Sequence, residues 1–213
     1  MEIYGLIALL AYLLGSIPTG YLVARARGID IRSVGSGNIG ATNALRVLGK
    51  PAGILVFVVD ALKGWIAVRV MSVWCVERFM EPGSMDGALE VGAIIASVCA
   101  VLGHNYTCWL KFKGGKGIAT SAGVLTALVP WALLIIFIIF IILSVVTRFI
   151  SVGSLAASFS LPFATWFTTK NWTLTAATGA MGVLAIYRHK ANIQRLLNGT
   201  EPRFGQKKPG VGK

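Results

Sequence analysis

The chain has 213 residues, 55% of them apolar, with mean hydropathy +0.74 and only 13% charged side chains, which excludes an ordinary soluble domain. A net charge of +12 would suit a nucleic-acid binder, but no compact basic domain or aromatic-studded basic sheet is present, and that class is excluded as well. Cys75, Cys99 and Cys108 are unevenly spaced and form no CxxC, so they read as small apolar side chains rather than a disulfide framework or a metal site.

Met1-Glu2 opens the chain without a basic n-region, so the first apolar run, 3–23, is expected to persist as a membrane span rather than be cleaved. A polar segment follows, with Gly35-Ser36-Gly37-Asn38-Ile39-Gly40-Ala41-Thr42-Asn43 and then Arg46. Glycines let a backbone turn its N–H groups toward an anion. A helix beginning near residues 38–42 would aim its positive end at a phosphate, with Arg46 one turn further. Ser36, Asn38, Thr42 and Arg46 are therefore candidate phosphate- or hydroxyl-binding residues. A plain turn with an N-cap is the bland alternative.

The second run, 53–74, carries Asp60 and Lys63 three residues apart on one helix face. Charges at that depth must face the protein interior. They are read as a structural pair, because no further acid continues a proton path. The third run, 89–102, leads to His104, read as a hydrogen-bonded structural residue.

Lys111-Phe112-Lys113-Gly114-Gly115-Lys116-Gly117 comes next. It lacks the spacing of a Walker A loop, yet a glycine turn feeding a helix N-terminus is a physical anion site. Lys113, Gly114, Gly115, Lys116 and Gly117 are candidates for a second phosphate. The positive-inside tendency alone would account for the lysines but not for the glycines.

Runs 118–129 and 131–146 are separated by Pro130, and each is shorter than the ~20 residues of a full span. Two crossings keep the basic tail on the same side as the other basic loops; one crossing would not. The Arg148-Phe149-Ile150-Ser151 turn then returns to that side and brings Ser151 to the candidate site. Runs 152–168 and 172–187 complete the set. At the end of the last, His189 and Asn192 share one helix face, suited to a general base and a partner that orients the substrate hydroxyl.

The inner loops collect Arg25, Arg27, Arg32, Arg46, Lys50, Lys111, Lys113, Lys116, Arg148 and the tail cations, while the outer loops keep Arg78 and Lys170. This bias predicts an all-α integral membrane protein of about seven transmembrane helices, N-terminus outside and C-terminus cytoplasmic. The chain reads as one membrane-embedded domain, 1–213, with a loose basic tail from about 199. The sequons at Asn105 and Asn198 fall on the expected inner face and read as chance.

Three blocks together carry a resemblance. They are Gly15-Ser16-Ile17-Pro18-Thr19-Gly20-Tyr21 with residues 35–43, Gly103-His104 with residues 113–120, and Arg188-His189 with Asn192-Ile193 and Gly199-Thr200-Glu201-Pro202. In this order, over nearly the whole chain, they resemble the bacterial acyl-phosphate:glycerol-3-phosphate acyltransferases (the PlsY family).

The resemblance implies a seven-helix enzyme of the bacterial cytoplasmic (inner) membrane with its site facing the cytoplasm. Acyl phosphate and glycerol 3-phosphate would be its small-molecule substrates and the lipid bilayer its surroundings. Its products would be 1-acyl-glycerol 3-phosphate and inorganic phosphate, the first acylation of phospholipid synthesis. It implies no cofactor, and no metal is expected. Neither histidine begins an HxxxxD motif.

By motif position, Ser36, Asn38 and Arg46 would bind phosphate or hydroxyl groups, and Lys113 with residues 114–117 would cradle a phosphate. His189 and Asn192 would hold and activate the attacking hydroxyl, with Glu201 structural. The chain departs from the family at Tyr106-Thr107-Cys108-Trp109 and at Lys190-Ala191, which touches local shape more than chemistry. Direct attack by the glycerol hydroxyl is the expected route, with His189 or a substrate phosphate as base; a covalent Ser36 intermediate is the sharper alternative. An organophosphate transporter is the competing class, disfavoured because the polar residues cluster at one membrane edge.

Overall fold

A computed structural model of the chain describes residues 2–203. Among them every regular element is helical, and the chain divides into two compact units, Met1–Pro130 and Trp131–Lys213.

The first unit begins with α1 (Glu2–Ser16), which ends at Ile17-Pro18, and α2 (Thr19–Arg25). Pro18 has no N–H to continue the helix ladder, so the first apolar run is two helices rather than one. α3 (Ala41–Leu48) precedes α4 (Lys50–Ile66), which passes through a π-helical turn at Ala67–Met71 into α5 (Ser72–Phe79). α6 (Met85–Asn105) and α7 (Ile118–Leu128) follow.

α1 packs on α6 and α4 on α7, and in each pair a glycine lets the backbones meet. A Cβ at Gly15 would strike the Ala100 backbone, and one at Gly103 the backbone of Tyr12 and Ser16. On the other pair, Gly64 lies against Thr120 and Gly123 against Ala61. Small residues at helix contacts are what close packing in lipid requires, where chain hydrophobicity supplies no preference between helix and solvent.

Asp60 and Lys63 are 1% and 3% exposed and lie 2.8 Å apart. Lys63 Nζ also donates to the Ile17 carbonyl, 2.8 Å away, and lies 3.0 Å from His104 Nδ1. Thr19 Oγ1 donates to Asp60 at 2.9 Å. The pair thus joins α4 to the α1–α2 break and to the end of α6.

The second unit holds α8 (Pro130–Thr147), α9 (Ile150–Thr169), α10 (Trp172–Arg188) and the short α11 (Lys190–Leu197). Arg148, at φ 61°, makes the turn between α8 and α9. α9 packs on α10, where Gly182 meets the Ser158 backbone and Thr178 hydrogen-bonds Thr165 at 3.1 Å. Trp166 stacks on Trp172 with centroids 4.1 Å apart.

Among the described residues, four helical stretches are long and apolar enough to cross a membrane: Glu2–Arg25, Gly87–Leu110, Pro130–Thr147 and Ile150–Thr169. α7 has 11 residues, about 16 Å of rise, and covers only part of a ~30 Å hydrocarbon core. The stretch expected to be loose from 199 is tied at its start, since Thr200 and Glu201 N–H both donate to the Arg195 carbonyl. Residues 204–213 of that tail lie outside the described residues.

Lys63→Met leaves the buried Asp60 carboxylate without its cation, a change that costs about 3–5 kcal/mol at comparable sites. The Tm of detergent-purified Lys63→Met protein is expected to fall by about 10 °C. Adding Asp60→Asn should restore part of the loss. A single variant as stable as the parent would show that the pair does not hold these helices together.

Candidate active site

Residues 31–48 fold around one side chain. Asn43 is 2% exposed and uses its whole amide. Its Oδ1 accepts the Ser36 N–H at 2.9 Å, while Nδ2 donates to the carbonyls of Ile31, Val34 and Asn38 at 3.2, 3.1 and 2.9 Å. Gly35, at φ 64°, passes so close that a Cβ would strike the Asn43 amide. Asn38 Oδ1 accepts the Gly40 N–H at 2.8 Å, which sets up the first turn of α3 at Ala41. The start of α3 thus falls within the expected window.

Around this hub Ser36, Thr42 and Arg46 are exposed and Asn38 is half-buried, while the backbone between them is locked. Sequence reasoning quoted Asn43 without giving it this role. Nothing local distinguishes it from Asn38, because its partners reach back twelve residues.

The neighbouring carboxylate takes no part. Asp30 pairs with Arg32 at 2.7 Å, and that side-chain hydrogen bond, aided by the Arg32 N–H, holds its pKa down to about 2.

The lysine–glycine segment is clamped to the end of α6. Gly114 N–H donates to the Asn105 carbonyl at 3.1 Å and Gly115 N–H to the His104 carbonyl at 3.0 Å. A Cβ at Gly114 would meet those carbonyls, and one at Gly115 would meet the His104 ring. The glycines are therefore required by close packing, and two of the amides expected to cradle a phosphate already have acceptors. What this segment offers an anion is the exposed Lys113 side chain, Lys116, and the N-terminus of α7, which begins after Gly117 at φ 77°.

In the second unit His189 closes α10 and opens α11, and it is 3% exposed. Its Nδ1 lies 2.7 Å from the Ala185 carbonyl. A carbonyl only accepts, so Nδ1 carries the hydrogen in the neutral ring and Nε2 is the basic nitrogen. Asn192, one turn away, donates through Nδ2 to Glu201 Oε1 at 2.7 Å, and Arg195 donates to Oε2 at 2.7 Å. Ser151, also buried, is a neighbour of the same carboxylate. Burial pushes the Glu201 carboxyl up, but the hydrogen bonds from Asn192 and Arg195 outweigh it and leave the pKa lowered. Arg195 escaped the sequence reading; its signal is a cation on the Asn192 face with a carboxylate six residues beyond.

A family model described as "Glycerol-3-phosphate acyltransferase" matches residues 5–199. The chain is 47% identical over 204 residues to the glycerol-3-phosphate acyltransferase of Thermosynechococcus vestitus, covering 95% of this chain and 96% of that one. It is 41% identical over 196 residues to the enzyme of the same name from Fusobacterium nucleatum, covering 92% and 95%. It also resembles two crystal structures of PlsY, an integral membrane glycerol 3-phosphate acyltransferase. The glycerol 3-phosphate form aligns with TM-score 0.82 at 39% identity over 95% of this chain and 96% of that one. The lysophosphatidic acid form aligns with TM-score 0.80 at 38% identity over 95% of each.

Asn43→Ala removes the acceptor of Ser36 N–H and the donor to three carbonyls. Amide exchange across residues 31–43 should accelerate at least tenfold, with α6 unchanged; equal protection in both proteins would rule out the hub. For Glu201 the ionised form is the one held in the fold. Its stabilisation is present above the ordinary glutamate pKa of about 4.3 and is lost as the pH falls through the lowered native value. A plot of Tm against pH below 4.3 should therefore fall less steeply for Glu201→Gln than for the parent.

Proposed function

The chain belongs to the glycerol-3-phosphate acyltransferase family, and from that premise we propose that it transfers an acyl group from acyl phosphate to the 1-hydroxyl of glycerol 3-phosphate. The products are 1-acyl-sn-glycerol 3-phosphate and inorganic phosphate. The reading treats 1–213 as one functional domain of a bacterial cytoplasmic membrane, with about seven spans, the N-terminus outside and the reactive residues facing the cytoplasm. The segregation of Lys and Arg supports that orientation.

The observation that carries the reading is the charge of the two glycine segments. With Arg32 taken up by Asp30, residues 33–48 and 111–120 contain Arg46, Lys111, Lys113 and Lys116 and not one carboxylate. Two phosphate-bearing substrates repel each other, and fixed cations without competing anions are what brings them together.

Ser36, Asn38, Thr42 and Arg46 would hold phosphate or hydroxyl groups from a backbone locked by Asn43. Lys113 and Lys116 would neutralise a phosphate, with the amides at Gly117 and the start of α7 in place of the engaged Gly114 and Gly115. Ser151 would supply a further hydroxyl.

In the reaction the 1-hydroxyl oxygen forms a bond to the acyl carbonyl carbon. The bond from that carbon to the phosphate oxygen breaks, and phosphate departs with the electron pair. The hydroxyl proton goes to His189 Nε2, the nitrogen left basic by the bond of Nδ1 to Ala185, or to a substrate phosphate. Asn192, oriented by Glu201, would position the glycerol hydroxyl. Acyl phosphate is already activated, so no covalent enzyme intermediate is needed. The acyl chain would stay in apolar surroundings, at about 0.8 kcal/mol per buried CH₂.

Purified protein given glycerol 3-phosphate and palmitoyl phosphate should release lysophosphatidate and phosphate in equal amounts, with no turnover on palmitoyl-CoA. His189→Ala should lower kcat by about 10²–10⁴-fold. Turnover with the thioester alone would overturn the donor assignment. A stable acyl-Ser36 adduct formed with acyl phosphate alone would replace direct attack by a covalent route. Uptake of glycerol phosphate into liposomes without an acyl donor would instead support a transporter.

A further inference from the structure

His104 is the other histidine of the chain, and no step above uses it. It lies in the last turn of α6, 4% exposed, between the buried ion pair and the lysine–glycine segment. On one side its Nδ1 is 3.0 Å from Lys63 Nζ. The Lys63 ammonium has three hydrogens, and three groups surround it: Asp60 Oδ1 at 2.8 Å, the Ile17 carbonyl at 2.8 Å and His104 Nδ1. The same Nδ1 lies 3.7 Å from Asp60 Oδ1, so this edge of the ring sits against both members of the pair. On the other side Nε2 is the atom nearest to where a Gly115 side chain would begin, with Cδ2 and Cε1 next. The His104 carbonyl accepts the Gly115 N–H as well. The segment is therefore fixed to this residue by its backbone and by its ring.

We propose that His104 is a positioning residue for substrate phosphate: the Asp60–Lys63 pair sets the ring, and the ring sets the height and direction of residues 113–117. The inference rests on the reading of Lys113 and Lys116 as phosphate ligands. It gives the buried pair a role at the site, carried from α4 through α6 into the loop. A loop of this kind, with lysines on either side of two glycines, needs an external template, because glycine narrows no backbone choice by itself.

His104→Asn tests this directly, since an Asn Oδ1 can still accept from Lys63 while the ring beneath Gly115 is gone. The variant should fold, with Tm within a few degrees of the parent, and its Gly114–Gly117 amides should exchange at least tenfold faster. The KM of glycerol 3-phosphate or of acyl phosphate should rise tenfold or more, with kcat within threefold. Gly115→Ala, which pushes a methyl against the ring, should raise the same KM in the parent background and change it less than twofold in His104→Asn. Unchanged exchange overturns the positioning role whatever the turnover. Both KM values within twofold of the parent, a loss of kcat alone, or equal effects of Gly115→Ala in the two backgrounds overturn its functional half. A parent protein inactive with both phosphate substrates overturns the underlying reading, and the functional half falls with it.

Discussion

The ammonium of Lys63 is the group around which the first unit is arranged. A cation this deep in an apolar helix is tolerated only if every donor finds an acceptor. Three different pieces of chain surround it: Asp60 on α4, the carbonyl of Ile17, and the ring of His104. The second of these requires a carbonyl not committed to an α-helical ladder, and Pro18 supplies it by interrupting the first apolar run. Thr19, the first residue after the break, then hydrogen-bonds Asp60. One buried charge thus ties together the helix break at Pro18, α4 and the end of α6. Such pairs add little net stability over an apolar isostere, so what this one contributes is register.

Both units use the same device to present polar chemistry at a helix end. In each, a buried side chain uses its hydrogen-bonding capacity on the scaffold and so fixes the candidate residues beside it. Asn43 does this for Ser36, Asn38 and Thr42, with four bonds to backbone groups. Glu201 does it for Asn192, with Arg195 completing its carboxylate. A site whose supporting residues are fully satisfied keeps its geometry when substrate arrives, which is the condition for electrostatic stabilisation without reorganisation.

The helices were legible because their signal is local. Run 118–129 became Ile118–Leu128, run 131–146 became Pro130–Thr147, and run 172–187 became Trp172–Arg188. Pro130 and the turn at Arg148 separate these helices with residues whose preferences act on the spot. The chain was less legible wherever the cause lies far away. The break at Pro18 is local, but the partner of the Ile17 carbonyl it exposes, Lys63, lies 46 positions later. The second run continues through a π turn to Phe79, well past the 74 where hydropathy ends it. The candidate residues Ser36, Thr42, Arg46 and Lys113 emerge exposed, because polar residues between apolar runs have nowhere else to go.

The lysine–glycine segment shows how one composition admits two physical causes. Glycine beside lysine suggests backbone amides turned toward an anion, yet a glycine is equally demanded where two backbones touch. Here the N–H groups of Gly114 and Gly115 close onto the carbonyls of Asn105 and His104 at the end of α6. On the proposed reading, recognition of phosphate at this end then falls to lysine side chains and to a helix N-terminus, which act as charges and dipoles rather than as a fitted cradle of amides. A point charge on a flexible stem is indifferent to what the phosphate is esterified with. If, as proposed, the site brings together a phosphate monoester and an acyl phosphate and releases inorganic phosphate, that indifference serves it better than a loop shaped to a single ligand.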